Sequence, residues 1–164
     1  IFTIIFLITI IIYNQYITMH YATDTYNIIN KGYIEYSISN SFIDGRIIMG
    51  FLDIGLEYMN IPINITIITF TVIAIIISCI SVIVLKKLIL DFKKNANKFD
   101  EIIAIVISYI TIFNFMYVEN LYFIEAIVMA ISILMYILSI REIIKKGKFF
   151  YLKALIFLFF LHVL

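Results

Sequence analysis

The chain has 164 residues, of which 64% are hydrophobic and only 14% charged, with a mean hydropathy of +1.11 and a formal net charge of +1. A soluble domain carries roughly 45–50% apolar residues, and a core of this size has nowhere to hide the excess, so the charge-poor runs belong in a bilayer. The absence of a basic stripe excludes nucleic-acid binding, and a lone cysteine, Cys79, excludes an internal disulfide.

The first apolar run, Ile1 to about Met19, matches the ~20 residues that a helix needs to cross hydrocarbon. It lacks the basic start and small-residue cleavage site of a signal peptide, so it is expected to be a membrane helix. Residues 20–60 follow as a polar-studded loop. Within it, Thr23-Asp24 is expected to cap a short helix ending near Lys31-Gly32. Ser41 and Asp44, three apart before an apolar run, have the spacing of a capping box. From there Arg46, Gly50, Asp53, Glu57 and Asn60 recur at helical spacing, with Ile47, Ile48, Phe51, Leu52, Ile54 and Met59 filling most of the remaining surface. This predicts a juxtamembrane amphipathic helix, too short to span, lying in the interface plane with its polar stripe toward water or a cleft.

The second apolar run, Ile61 to Leu85, opens with the chain's only proline, Pro62, at a position suited to a first helical turn. A third covers Ile102 to Val118 and a fourth Leu121 to Ile140; a fifth begins at Phe149 and is still apolar at Leu164. The expected fold is therefore an all-α integral membrane bundle of about five spans. It is read as a single transmembrane domain over 1–164 and the N-terminal portion of a longer protein.

Orientation follows from the cations, which are retained on the cytoplasmic side. Ten of the twelve lie in the connections after the second and fourth runs: Lys86, Lys87, Lys93, Lys94 and Lys98, then Arg141, Lys145, Lys146, Lys148 and Lys153. The N-terminus is accordingly predicted to be cytoplasmic. The 20–60 loop and the turn at Glu119-Asn120 fall outside, where most of the acids also gather. The Lys86–Lys98 connection suits contact with anionic cytoplasmic lipid.

Three constellations carry candidate chemistry. Asp24, just after His20, is placed to accept a proton from a hydroxyl at the membrane surface; on sequence physics alone the helix-cap reading is favoured for it, and an interfacial polar anchor for His20. Arg46, beside Asp44 and Gly45 near a helix start, offers a forked site for phosphate, or an interfacial cation paired with Asp44. Glu119 and Asn120 form the outer turn, with Glu125 one to two turns into the fourth helix. An ionisable group there is functional, paired with another polar residue, or snorkelling outward. Tyr13, Tyr16, Tyr21, Tyr26, Tyr117 and Tyr122 gather at the same boundary as an aromatic belt, with sugar stacking as a second role. No metal spacing, phosphate loop, nucleophile elbow or kinase signature is present, and no cofactor is expected.

Thr23-Asp24-Thr25 after the first helix, Asp44-Gly45-Arg46 leading a juxtamembrane helix, and Asn114 to Glu125 as an outer turn with a Glu-Asn pair and a further acid are the stretches that matter here. Together they resemble the bacterial membrane glucosyltransferases that modify O-antigen and other cell-surface polysaccharide, in the GT-C class. The resemblance implies a glycosyltransferase of the cytoplasmic (inner) membrane. It would move a glucose-like sugar from a polyprenyl-phosphate donor to a glycan or lipid-linked acceptor on the outer face, with Asp24 as base, Arg46 on the phosphate, and Asp44 and Glu119 in support. The alternative is a flippase or transporter component, or a structural membrane subunit. A transporter calls for ionisable residues or broken helices near the midplane, and the middles of the first four runs carry no charge.

Overall fold

A computed structural model describes residues 1–18, 22–93, 95–146 and 149–163, leaving out the side chains of residues 115, 116 and 158–163. The described residues are helical, without strands. In chain order the helices are α1 (Phe2–Ile12), α2 (Asn14–Ile17), α3 (Thr23–Lys31), α4 (Tyr33–Tyr36), α5 (Ile47–Tyr58), α6 (Ile63–Asp91), α7 (Lys98–Ile112), α8 (Phe115–Glu119), α9 (Ala126–Lys145) and α10 (Phe150–Val163). A π-helical turn, Ser37–Ser41, follows α4, and a 3₁₀ turn, Asn120–Tyr122, follows α8.

Among the described residues two helices, α6 with 29 residues and α9 with 20, are long and apolar enough to cross a membrane. The other apolar runs are interrupted or shorter. The first breaks at Tyr13 (φ −106°, ψ 22°) into α1 of 11 residues and α2 of 4. The third stops at Phe113 (φ −92°, ψ 45°), where Asn114 accepts a bond from the Tyr117 N–H and starts α8 afresh. The N-terminus of α7 carries a capping box. Asn97 Oδ1 accepts from the Asp100 N–H at 2.8 Å, and Asp100 Oδ2 accepts from the Asn97 N–H at 2.9 Å.

Side-chain contacts fix the directions. Lys86 pairs with Glu101 across α6 and α7 at 3.1 Å, Lys145 with Asp91 across α9 and α6 at 3.0 Å, and Lys153 with Glu142 across α10 and α9 at 3.6 Å. The C-termini of α6 and α9 therefore share one end with the N-termini of α7 and α10. The opposite end holds α3, α4 and α5 packed over the starts of α6 and α9, through Ile28, Tyr33, Tyr36, Met49, Leu56, Phe70, Ile124 and Val128. Charge divides with it: Asp24, Glu35, Asp44, Asp53, Glu57, Glu119 and Glu125 sit at this end, and the lysine-rich connections at the other.

The bundle core joins α1, α6, α7 and α9 through small side chains. Ala74, Cys79, Ala104, Ala126 and Ala130 are buried, as are Thr9, Ser78, Ser81 and Ser108. Small residues let helices approach closely where hydrocarbon supplies no hydrophobic drive between them. Hydroxyls close locally or across helices: Thr9 to the Ile5 carbonyl at 2.7 Å, Ser78 to the Ala74 carbonyl at 2.8 Å, and Ser78 also to the Tyr117 hydroxyl. The outer faces are apolar, with Ile4, Leu7 and Ile11 on α1, Val106, Ile107 and Ile110 on α7, and Leu152 and Leu155 on α10 all exposed. Apolar surface of that extent is unusual for a chain wholly in water.

Candidate functional site

The loop between α2 and α6 is built by its punctuation. Gly32 stops α3 with φ 83°, and its N–H closes on the Ile28 carbonyl at 2.7 Å. That backbone angle lies in the left-handed region that glycine adopts without strain. The chain turns directly into α4, and the Tyr33 N–H is caught by Glu57 of α5 at 2.8 Å. The cap assignments differ from those expected. Neither Asp24 nor Thr23 caps α3: its N-cap is Ala22, with no side-chain bond, and Asp24 lies in the first turn. There its charge still favours the helix dipole. Ser41 and Asp44 form no capping box either. Ser41 closes the π-helical turn, Asp44 lies in the turn after it, and Arg46 is the N-cap of α5. Pro62 stands as the N-cap of α6, one position ahead of the first turn.

The α5 stripe faces inward. Met49, Gly50, Asp53 and Leu56 are buried, while Ile47, Phe51, Leu52, Tyr58 and Met59 are exposed. The polar side of this helix thus closes a cleft, leaving the apolar side outward. Gly50 is required by a close approach, because a β-carbon there would stand 2.7 Å from Cε1 and Cζ of Phe42.

At the α5 N-cap, the Arg46 guanidinium donates to both Asp44 and Glu125. Glu125 is not inside the fourth helix, as its spacing suggested, but is the N-cap of α9, with its side chain almost wholly buried. The Tyr36 hydroxyl donates to the other Glu125 oxygen at 3.5 Å. Burial, then the carboxylates of Glu125 and Asp24, hold the Tyr36 hydroxyl well above its ordinary value. The Asp24 carboxylate acts on Glu125 as well. Asp44, Arg46 and Glu125, singled out from separate stretches, are thus joined by ion pairs, and Asp24 reaches Glu125 through its charge alone.

Glu119 and Asn120 do not join it by any bond among the described residues. Glu119 is exposed at the end of α8, where its charge acts on Tyr16, and Asn120 starts the 3₁₀ turn. His20 and Tyr21 lie outside the described residues. The aromatic belt is partly core: Tyr16 and Tyr117 are buried, with Tyr16 edge-on to Tyr122 at 4.5 Å between ring centres.

The association of three side chains in this region escaped the sequence reading. Asp53, read as one polar position of the stripe, is fully buried; Ser37 and Ser41, both buried, contact its Oδ2 at 3.3 and 3.4 Å, and its Oδ1 has no hydrogen-bond partner. Burial pushes the Asp53 carboxyl up to about 7, with the Glu125 charge adding to the rise and Ser37, Ser41 and Arg46 opposing it. The signal in the sequence was an acid flanked by Phe51, Leu52 and Ile54. A separate pocket of about 290 Å³ is lined in part by Gly32, Tyr33, Glu57, Asn60 and Pro62.

Among the described residues, no group of three or more His, Cys, Asp or Glu side chains could hold a metal ion. In comparisons with known proteins, no family model, no curated protein and no solved structure matches the chain.

Proposed function

We propose that the chain belongs to a membrane glycosyltransferase of the GT-C kind, taking sugar from a polyprenyl-phosphate donor on the outer face of the bacterial cytoplasmic membrane. The reading adds α1–α2, α7–α8 and α10 to α6 and α9 as spans, five in all, with the lysine-rich end cytoplasmic. The observation that carries it is the pairing of Arg46 with Asp44 and Glu125 at the opposite end, with Asp24 acting on Glu125 from the same loop, where a lipid-linked phosphate would lie.

The acceptor hydroxyl attacks the anomeric carbon and gives its proton to the Asp24 carboxylate, while the bond from that carbon to the phosphate oxygen breaks. The lipid phosphate leaves with the electron pair and requires charge stabilisation rather than a proton. Arg46 supplies it by exchanging one partner. Asp44 is half exposed and gives way to phosphate, whereas the buried Glu125 keeps the guanidinium aimed. The same double pairing favours the rival reading, a flippase component or structural subunit in which Arg46 merely ties α5 to α9.

Transfer of radiolabelled glucose from polyprenyl-phosphate glucose by membranes containing the protein separates the two. Activity abolished by Asp24→Asn and weakened in apparent donor affinity by Arg46→Lys supports catalysis. Full turnover in Asp24→Asn removes Asp24 from the chemistry, and no transfer to any glycan acceptor favours the structural reading.

A further inference from the structure

Asp53 has too few hydrogens around it. Ser37 Oγ faces two acceptors, the Tyr33 carbonyl at 2.8 Å and Asp53 Oδ2 at 3.3 Å. A serine hydroxyl has one hydrogen to give. The shorter contact takes it, which leaves the Ser37 oxygen facing a carboxylate oxygen with lone pairs on both. Ser41 Oγ stands 3.4 Å from the same Oδ2. A typical hydroxyl bond is shorter, at about 2.7 Å. Oδ1 is out of solvent and has no partner. The neighbouring cation makes no ion pair with Asp53 either, because the guanidinium of Arg46 is closed on Asp44 and Glu125. A buried carboxylate left in that state must be neutralised by something else.

The spacing of the oxygens identifies what. Around a hard cation with ligands at roughly 2.4 Å, adjacent oxygens of an octahedron lie about 3.4 Å apart. The Ser37 and Ser41 distances to Oδ2, long for hydroxyl hydrogen bonds, equal that edge. Both hydroxyls come from the Ser37–Ser41 π-helical turn, and such widened turns are frequent at functional sites. The donor set is all oxygen with a single negative charge, which suits a monovalent ion of sodium's size rather than a transition metal.

We propose that Asp53, Ser37 and Ser41 form a binding site for one sodium-sized monovalent cation, which neutralises Asp53 and fixes the π-helical turn beside Tyr36 and Glu125. The site stands whether or not the chain is an enzyme. Occupancy locks α5 against the end of α4, so the ion acts as a structural cofactor of the loop that carries Arg46.

Thermal unfolding of the purified protein in detergent at pH 8 tests it, with sodium chloride titrated against choline chloride at constant ionic strength. The expected result is a saturable rise in Tm with sodium that choline does not produce. Asp53→Asn should abolish the sodium response, and Ser41→Ala should move the half-saturating sodium concentration upward. Equal Tm in sodium and choline for the unsubstituted protein would overturn the site. So would a sodium response that persists undiminished in Asp53→Asn or, should that variant fail to fold, in Ser41→Ala. A Tm that follows pH but never sodium assigns the neutralising role to a proton and also overturns it.

Discussion

Arg46, the N-cap of α5, is paired with Glu125, the N-cap of α9, joining two helix starts that lie 79 positions apart in the chain. The pair fastens the loop between α2 and α6 to the helical bundle. Its two ends are unequal: the Arg46 side chain retains 31% of its exposure and Glu125 only 3%. Water can therefore take over for the arginine but not for the acid.

Removing the arginine should consequently cost more than removing the acid. Arg46→Met leaves Glu125 buried without its cation and is expected to lower stability by about 3 kcal/mol. Adding Glu125→Gln to that variant should restore part of the loss, because no buried charge remains. Denaturant or thermal unfolding of the two variants checks this, and an unimproved double variant would contradict the inequality.

Stability should depend on pH through Asp53. Its carboxyl is raised to about 7 in the folded protein, against an ordinary value of roughly 4 when unfolded. Between those values the folded state holds a proton that the unfolded state has released. The contribution is therefore fully present below about pH 4 and lost as pH rises through about 7. Glu125 and Arg46 are the charged groups acting on it, and its own charge raises the Tyr33 hydroxyl. Tm measured in choline should fall from pH 5 to pH 8, and Asp53→Asn should flatten that fall. A slope unchanged by the substitution would assign it to other groups.

Gly50 tests the packing of the loop. In Gly50→Ala the new methyl meets the Phe42 ring at 2.7 Å, so the ring, itself edge-on to Phe51, must move. Overpacking of this kind costs about 1–3 kcal/mol. Phe42→Leu in the same chain should recover most of it, as read by thermal unfolding.

At the lysine-rich end, Asn97→Ala removes the acceptor for the Asp100 N–H. Loss of such a cap should cost about 1 kcal/mol. Asn97→Asp keeps an acceptor and should cost less. Equal losses in the two would deny the cap its role at the start of α7.

The elements most legible in the sequence are those that long apolar runs dictate. Long charge-free runs gave α6 and α9, and the clustering of lysines gave the alternation of helix directions that the ion pairs of Lys86, Lys145 and Lys153 display. The breaks at Tyr13 and Phe113 carried no proline or glycine to announce them; they depend on tertiary packing, where Tyr13 stacks on Phe113 at 5.5 Å. In the loop, Gly32 marked its helix end through backbone freedom alone. Asp24, Ser41 and Asp44 misled as caps because the same oxygens serve turns and charge pairs as readily as helix starts. Asp53 was hidden by its periodicity: a polar stripe has the same spacing whether it faces water or a cleft, and only the packing of Phe42 and Met49 decides which.

The account rests on the acid-rich loop and the lysine-rich connections lying on opposite sides of a membrane. Single cysteines introduced at the exposed positions Glu35 and Lys98, in a chain carrying Cys79→Ser, can be probed with a membrane-impermeant maleimide on intact spheroplasts. Labelling at position 35 from outside, with position 98 labelled only after permeabilisation, is the result expected. Labelling of both from the same side, or of position 35 only from the cytosol, would contradict the topology and with it the proposed outer-face site.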